Sequence, residues 1–285
     1  MDPGAEPVCH LGYDYSCWTA GDPKPPLEPG ASVFLKPHDG KDYRGVVVEV
    51  DEETCAVMMD CDQRVRRVKL GDVRSVFRLG RGGERQAGHV GRVLVVGETP
   101  DFRMCARSQL FKSDFAVEIG SSYGDTSVIL GRNAQKHVGF DCGLDCVKEA
   151  ARRHPSLTFI HSDVFRESER IAALCSGCTV VAIDIGGDRC VGDQLEALQW
   201  AQSVLRPEFV LIKSRHCFKL LRERATEGIA GPLPRMSEWL QLHTGPEGAG
   251  VAQRRRTSRA GKRKKQAAEL RALVDPDCSQ PEQET

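Results

Sequence analysis

Apolar positions along this chain come in two rhythms. Between residues 30 and 79 they form short bursts: Ala31-Ser-Val-Phe-Leu-Lys36, Tyr43-Arg-Gly-Val-Val-Val-Glu-Val50, Cys55-Ala-Val-Met-Met-Asp60, Arg67-Val-Lys-Leu70 and Val73-Arg-Ser-Val-Phe77. Strand formers at such close spacing, parted by Asp, Gly and Glu turns, predict a small all-β barrel. From Val93 onward the pattern lengthens. Apolar runs at 93–96, 115–119, 137–141, 157–164, 179–185 and 208–213 alternate with helically spaced segments at 99–110, from 125, and at 143–153, 167–175, 191–205 and 215–224. That alternation predicts an α/β domain, a doubly wound, mainly parallel sheet over residues 93–228. Thr99 suits an N-cap and Pro100 the first helical position, and Asp125-Thr126 can cap the helix after the central strand.

The remaining segments have no such period. Residues 1–29 are rich in Pro and Gly, so disorder is expected there, and residues 80–92 read as a glycine-rich linker. Residues 229–285 form a C-terminal extension. Net charge over the 285 residues is zero, yet residues 254–271 hold nine Lys or Arg against one Glu, leaving a surplus of eight negative charges elsewhere. Twelve cysteines without framework spacing point to a reducing compartment. No apolar run approaches the ~20 residues that span a bilayer. The first 24 residues carry Asp2, Glu6, Asp14 and Asp22 against Lys24 alone, unlike an organelle transit peptide. The expectation is an intracellular protein, with the nucleus ahead of the cytoplasm and no membrane partner.

The stretch Phe115-Ala-Val-Glu-Ile-Gly-Ser-Ser-Tyr-Gly124 reads as a strand running into a tight glycine loop before a helix. A dinucleotide site requires G-x-G-x-x-G so that backbone amides cradle a pyrophosphate. Here Ser122 stands at the second glycine position and the third is missing. The pattern Glu118-x-Gly120-x-Ser122-x-Gly124 resembles the first motif of the class I S-adenosylmethionine (AdoMet) methyltransferases, an acid followed by alternating small residues. Ligands of open α/β sheets bind at the carboxyl ends of strands. Asp141, twenty-one positions after Gly120, can accept both hydroxyls of a ribose, as in dinucleotide sites too. The resemblance implies the cofactor S-adenosyl-L-methionine, with Asp163 on the adenine amino group, Val164 against the ring and Glu118 toward the methionine end. Each acid also has a plain structural reading as a strand-end cap.

The fourth strand ends at Asp184-Ile-Gly-Gly, without the Asp/Asn-Pro-Pro-aromatic clamp that base-amine methyltransferases of this superfamily carry. The fifth ends at Lys213. Asp184 and Lys213 at the ends of adjacent strands resemble two members of the Lys-Asp-Lys-Glu tetrad of RNA ribose 2′-O-methyltransferases. Lys112 is a poor match for the first lysine, and the glutamate has no counterpart. Asp184 and Lys213 are the catalytic candidates, with a strand-joining salt bridge as the equal alternative. The expected function is AdoMet-dependent methylation of a macromolecule, RNA ahead of protein. The other reading is a non-catalytic adaptor of the same fold that binds nucleic acid or protein through its barrel and tail. After residue 225 no strand pair is evident, so the family's antiparallel edge hairpin is absent or replaced by Val93–Val96.

The first domain resembles SH3-like and Tudor-like barrels. Its aromatics Phe34, Tyr43 and Phe77 could cage a methylated cation or serve only as core of a spacer or nucleic-acid-docking module. Cys175-Ser-Gly-Cys178 and Cys142-Gly-Leu-Asp-Cys146 lack the second ligand pair of a zinc site, so buried thiols are expected and no metal. Residues 254–265 read as a two-cluster nuclear-localisation signal or an RNA-contacting arm.

Overall fold

Twelve strands and six α-helices make up the computed structural model, which describes residues 13–35, 43–79, 91–186 and 191–226. The first strand, β1 (Tyr13–Cys17), is followed by β2 (Ser32–Leu35), β3 (Tyr43–Val50), β4 (Thr54–Met59), β5 (Val65–Lys69) and β6 (Val73–Ser75). The rest alternates: β7 (Gly91–Val96), α1 (Thr99–Ser108), β8 (Phe115–Ile119), α2 (Asp125–Asn133), β9 (Lys136–Asp141), α3 (Leu144–Arg153) and β10 (Thr158–His161). Then come α4 (Ser168–Leu174), β11 (Val180–Ile183), α5 (Val191–Trp200) with a π turn at Ala201–Leu205, β12 (Phe209–Lys213) and α6 (Arg215–Thr226).

Seven strands form one parallel sheet in the order β1-β7-β12-β11-β8-β9-β10. From β8 the chain winds outward through β9 to β10, then returns to the other side of β8 as β11 and continues to β12. The order therefore reverses between β8 and β11, and their carboxyl ends open the crevice where such sheets bind ligands. The inner strands are apolar on both faces because helices cover both. Leu94, Val96, Ala116, Val180, Ala182, Phe209 and Leu211 point to one side, against Phe102, Cys105, Ala106 and Leu110 of α1 and its following turn and Leu130 of α2. Val93, Val95, Val117, Ile119, Val181, Ile183, Val210 and Ile212, one step out of phase, are equally buried on the other side. Each such Val or Ile contributes roughly 1.5–3 kcal/mol by leaving water.

The second sheet is antiparallel, five-stranded and ordered β5-β4-β3-β2-β6, with a 3-10 turn at Leu70–Asp72 between its last two strands. Its strands fall where the apolar bursts predict. Val33, Val47, Cys55, Val57 and Met59 are its core. Arg44, 8% exposed, reaches out of β3 to donate to the carbonyls of Arg107 and, at 2.7 Å, Leu110 at the end of α1. Gln109 adds a second tie, accepting from Leu79 N and donating to Phe77 O at 2.8 and 2.9 Å. The two sheets are thus joined by hydrogen bonds that neither could satisfy alone.

Several expectations are corrected. The reading of residues 1–29 as disordered fails from Tyr13 onward: β1 pairs in parallel with β7, and the Tyr13 hydroxyl donates to Pro207 O at 2.8 Å. A five-residue strand between Gly and Pro clusters carries too short a period to register, and the open edge of β7 supplies its partner. Val93–Val96 is no antiparallel edge replacement. It lies between β1 and β12 and runs parallel to both. The strand begins at Gly91, so the linker reading holds no further than residue 90, and residues 80–90 lie outside the described residues. Thr99 is not the cap of α1; Glu98 occupies that position and pairs with Arg215 instead. Gly124, at φ +85°, precedes α2 in the place expected for Asp125 or Thr126. A hairpin after residue 225 falls beyond the described residues, as do the extension and the basic tail.

Candidate functional site

The loop between β8 and α2 sits at the carboxyl edge of the crevice and is built from backbone conformations that few residues tolerate. Gly120, Ser122 and Gly124 all have positive φ, at 87°, 47° and 85°. A Cβ on Gly120 would lie 2.0 Å from the carbonyl oxygen of Asp184, so the loop crosses directly over the end of β11. A Cβ on Gly124 would lie 2.8–2.9 Å from the rings of His154 and Phe159. These alternating turns aim the loop's amides inward. Gly120 and Ser121 both donate to Phe140 O, at 2.8 and 3.0 Å. Ser122 donates to Asp141 Oδ2 at 2.9 Å, and Gly124 to Ser121 O at 2.9 Å. Four of the five amides from 120 to 124 are consumed, leaving no row of donors for a pyrophosphate.

Asp141 ends β9 half-buried, with Oδ2 on Ser122 N and Oδ1 on Gly143 N at 2.7 Å. Each oxygen keeps a lone pair, and a vicinal diol can donate to both. Asp163 lies two residues past β10. Its Oδ1 accepts from Phe165 N at 3.0 Å, and its carbonyl receives Arg166 and Glu167 N, so it also shapes the turn into α4. Val164 is 6% exposed beside it, buried in the wall rather than standing free.

Glu118 departs from its expected place. It is 1% exposed, accepts a short hydrogen bond from Ser127 Oγ of α2, and lies 3.6 Å from His137 Nε2. The pleat explains this. Glu118 shares its face with Ala116, which packs under α2, while ligands approach the strand end. Its role here is to tie β8, β9 and α2 together beneath the loop.

Asp184 and Lys213 do come together. Lys213 Nζ lies 2.7 Å from Asp184 Oδ2, with side chains 15% and 17% exposed. The salt-bridge alternative is therefore realised geometrically, yet both groups keep access to the carboxyl edge. Gly186 N donates to Asp184 Oδ1 at 3.3 Å, and Lys213 Nζ donates to Thr99 Oγ1 at 3.0 Å. Thr99 was not foreseen as a site residue. The signal was its place just after β7, which becomes informative only once β7 is known to neighbour β12. Lys112 donates to Arg132 O at the far end of α2, at the amino edge of the sheet, and cannot join Lys213.

Of the two cysteine pairs expected to be buried, one is not: Cys142 is exposed and Cys146 of α3 half-buried, because they lie in the turn after β9 and the first turn of α3. Cys175 and Cys178 are buried, and burial pushes their thiols up to about 12 and about 11. Among the described residues no group of three or more His, Cys, Asp or Glu is placed to hold a metal. No described helix is long and apolar enough to cross a membrane. Phe34 and Phe77 line one cavity together with Trp18, whereas Tyr43 lies under Arg66 instead, 5.9 Å from its guanidinium.

No protein-family model matches the chain, and no curated protein matches it. Solved structures do. A precorrin 8w decarboxylase from Methanobacterium thermoautotrophicum is 16% identical over 44% of this chain and 68% of its own, with a TM-score of 0.32. An rRNA methylase from Streptococcus thermophilus is 12% identical over 46% and 77%, with a TM-score of 0.32. Aeropyrum pernix fibrillarin, solved with natively bound S-adenosyl-L-methionine, is 14% identical over 54% and 73%, with a TM-score of 0.27.

Proposed function

We propose that this chain is an S-adenosyl-L-methionine-dependent methyltransferase acting on RNA. The observation that carries the reading is the saturation of the loop amides beside a carboxylate with free lone pairs. A ligand seated here brings a ribose to Asp141 and needs no pyrophosphate cradle, which fits AdoMet and not a dinucleotide. Gly120, Ser122 and Gly124 back its amino-acid end, Asp163 accepts from the adenine amino group, and Val164 supplies apolar wall. When bound, the cofactor supplies an electrophilic methyl group on a sulfonium.

Asp184 and Lys213 stand beside that position as the catalytic pair. Lys213 Nζ is held between Asp184 Oδ2 and Thr99 Oγ1, which fixes the nitrogen at the carboxyl edge where a substrate hydroxyl would approach. This orientation supports proton removal from a ribose hydroxyl and favours RNA over a protein nucleophile. The site lacks an aromatic clamp for a base amine among Asp184, Ile185 and Gly186. Residues 254–265, outside the described residues, complete the reading as a nuclear-import or RNA-contacting arm; truncation at Gly250 with unchanged nuclear distribution removes the import role.

The test is incubation of the protein with methyl-labelled AdoMet and total cell extract, followed by separate nuclease and protease digestion. Label released by nuclease supports the reading. Label released only by protease replaces RNA with protein. No label despite calorimetric AdoMet binding leaves the non-catalytic adaptor.

A further inference from the structure

We propose that the cavity between the segment after β1, the antiparallel sheet and α1 is a docking subsite for one unpaired nucleotide of an RNA substrate, a proposal that rests on the RNA reading above. The cavity is about 260 Å³. That lies just below the ~300 Å³ floor of drug-sized sites, so it takes a single ring system and excludes a duplex.

Its walls are aromatic. Trp18 and Phe77 stack with centroids 5.7 Å apart and planes within 7°, and Phe34 joins them from β2. Trp18 is held in place by its amide on Val95 O at 3.2 Å, and Thr19 Oγ1 donates to Asp101 at 2.9 Å. Stacking on such faces is how proteins hold unpaired bases without reading their edges.

Charge selects the occupant. Lys24, Arg74 and Arg107 line the cavity, and Lys24 and Arg74 are exposed. The one carboxylate among its described lining residues, Asp22, is ion-paired with Arg222 of α6. A methylated ammonium drawn to aromatic faces would be repelled by the three cationic side chains of this lining. A planar ring carrying a phosphate satisfies both the aromatic wall and the cationic rim.

Position links the cavity to the candidate active site. Trp18 leaves β1 on one side of the β7 carboxyl end, while Ser214, next to Lys213, donates to Val96 O on the other. Two strand spacings of ~4.8 Å put these backbones roughly 10 Å apart. A strand of RNA with one base in the cavity therefore runs along the same edge toward Lys213.

The test uses the full chain and a fluorescein-labelled single-stranded oligoribonucleotide, with and without 4-thiouridine. In a Lys24→Ala/Arg74→Ala double variant, affinity should fall about tenfold, and the slope of log K on log salt should flatten by about 1.4. Calorimetric AdoMet affinity should not change. Photocrosslinks should map to peptides carrying Trp18, Phe34 or Phe77. Unchanged affinity of the double variant, crosslinks confined to residues 254–265, or displacement by a trimethyl-lysine peptide each overturns the proposal. Wild-type protein that fails to bind AdoMet yet crosslinks at Trp18 removes the methyltransferase reading and leaves the nucleotide subsite standing.

Discussion

Gly120 passes so close to Asp184 that any side-chain carbon on it would lie 2.0 Å from the Asp184 carbonyl oxygen. This approach locks the loop after β8 onto the end of β11, the strand that carries a catalytic candidate. Gly120→Ala must move one of the two and also hold an L residue at φ +87°. We expect destabilisation of about 3 kcal/mol or more in urea unfolding. A variant as stable as the wild type would show that the loop does not cross β11 this closely.

Asp141 organises the loop and is also the proposed ribose acceptor. Asp141→Ala should weaken AdoMet binding by about 1.5–3 kcal/mol, the range for a hydrogen bond to a charged group. Isothermal calorimetry reads this directly. Affinity within twofold of the wild type would place the ribose elsewhere.

Replacement of Lys213 tests its proposed catalytic role. Lys213→Met should abolish label transfer while AdoMet binding persists, because no loop contact passes through Nζ. Among the described residues Asp184 then keeps the Gly186 amide alone, which should cost about 1–3 kcal/mol of stability. Thr99→Val tests the orientation alone: transfer should slow about fivefold, the worth of one hydrogen bond, with binding unchanged. Full activity in Lys213→Met would leave the pair as a strand tie.

Glu98 and Arg215 bridge the start of α1 to the start of α6 on either side of Lys213, with two contacts of 2.8 Å. The hydrogen bond from Arg215 holds the Glu98 carboxyl below its ordinary value of 4.5. A depressed carboxylate stabilises the fold fully above its unfolded value and loses that contribution as pH falls through the lower, folded value. Protection factors of the α6 amides, corrected for the intrinsic pH dependence of exchange, should fall below pH 4.5 in the wild type. In Glu98→Gln that loss should already be present at pH 7; identical protection at every pH would detach the bridge from α6.

The edge strand makes the N-terminal segment part of the fold. Tyr13→Phe removes the bond to Pro207 O and should cost about 1 kcal/mol, lowering Tm by about 2–4 °C. Deletion through Cys17 should lower it further and expose the edge of β7. A deletion with unchanged Tm would restore the expectation of disorder.

The sequence by itself determined the alternation of strands and helices from Val93 to the last described helix, the five short strands before it, and the glycine loop. Each is a local pattern: a run of β formers, a helical period, a positive-φ turn. It also placed Asp141, Asp184 and Lys213 at strand ends, because a strand's end is visible where its apolar run stops. What lies across strands was decided only in three dimensions. Glu118 reads as a motif acid, but the pleat turns it under α2 against Ser127 and His137. Thr99 becomes Lys213's partner only because β7 inserts beside β12. Trp18, Phe34 and Phe77 converge from three segments up to 59 positions apart, and nothing in their spacing foretells it. β1 is a strand because β7 offers it an unpaired row of backbone donors and acceptors, a property of the sheet's edge and not of residues 13–17.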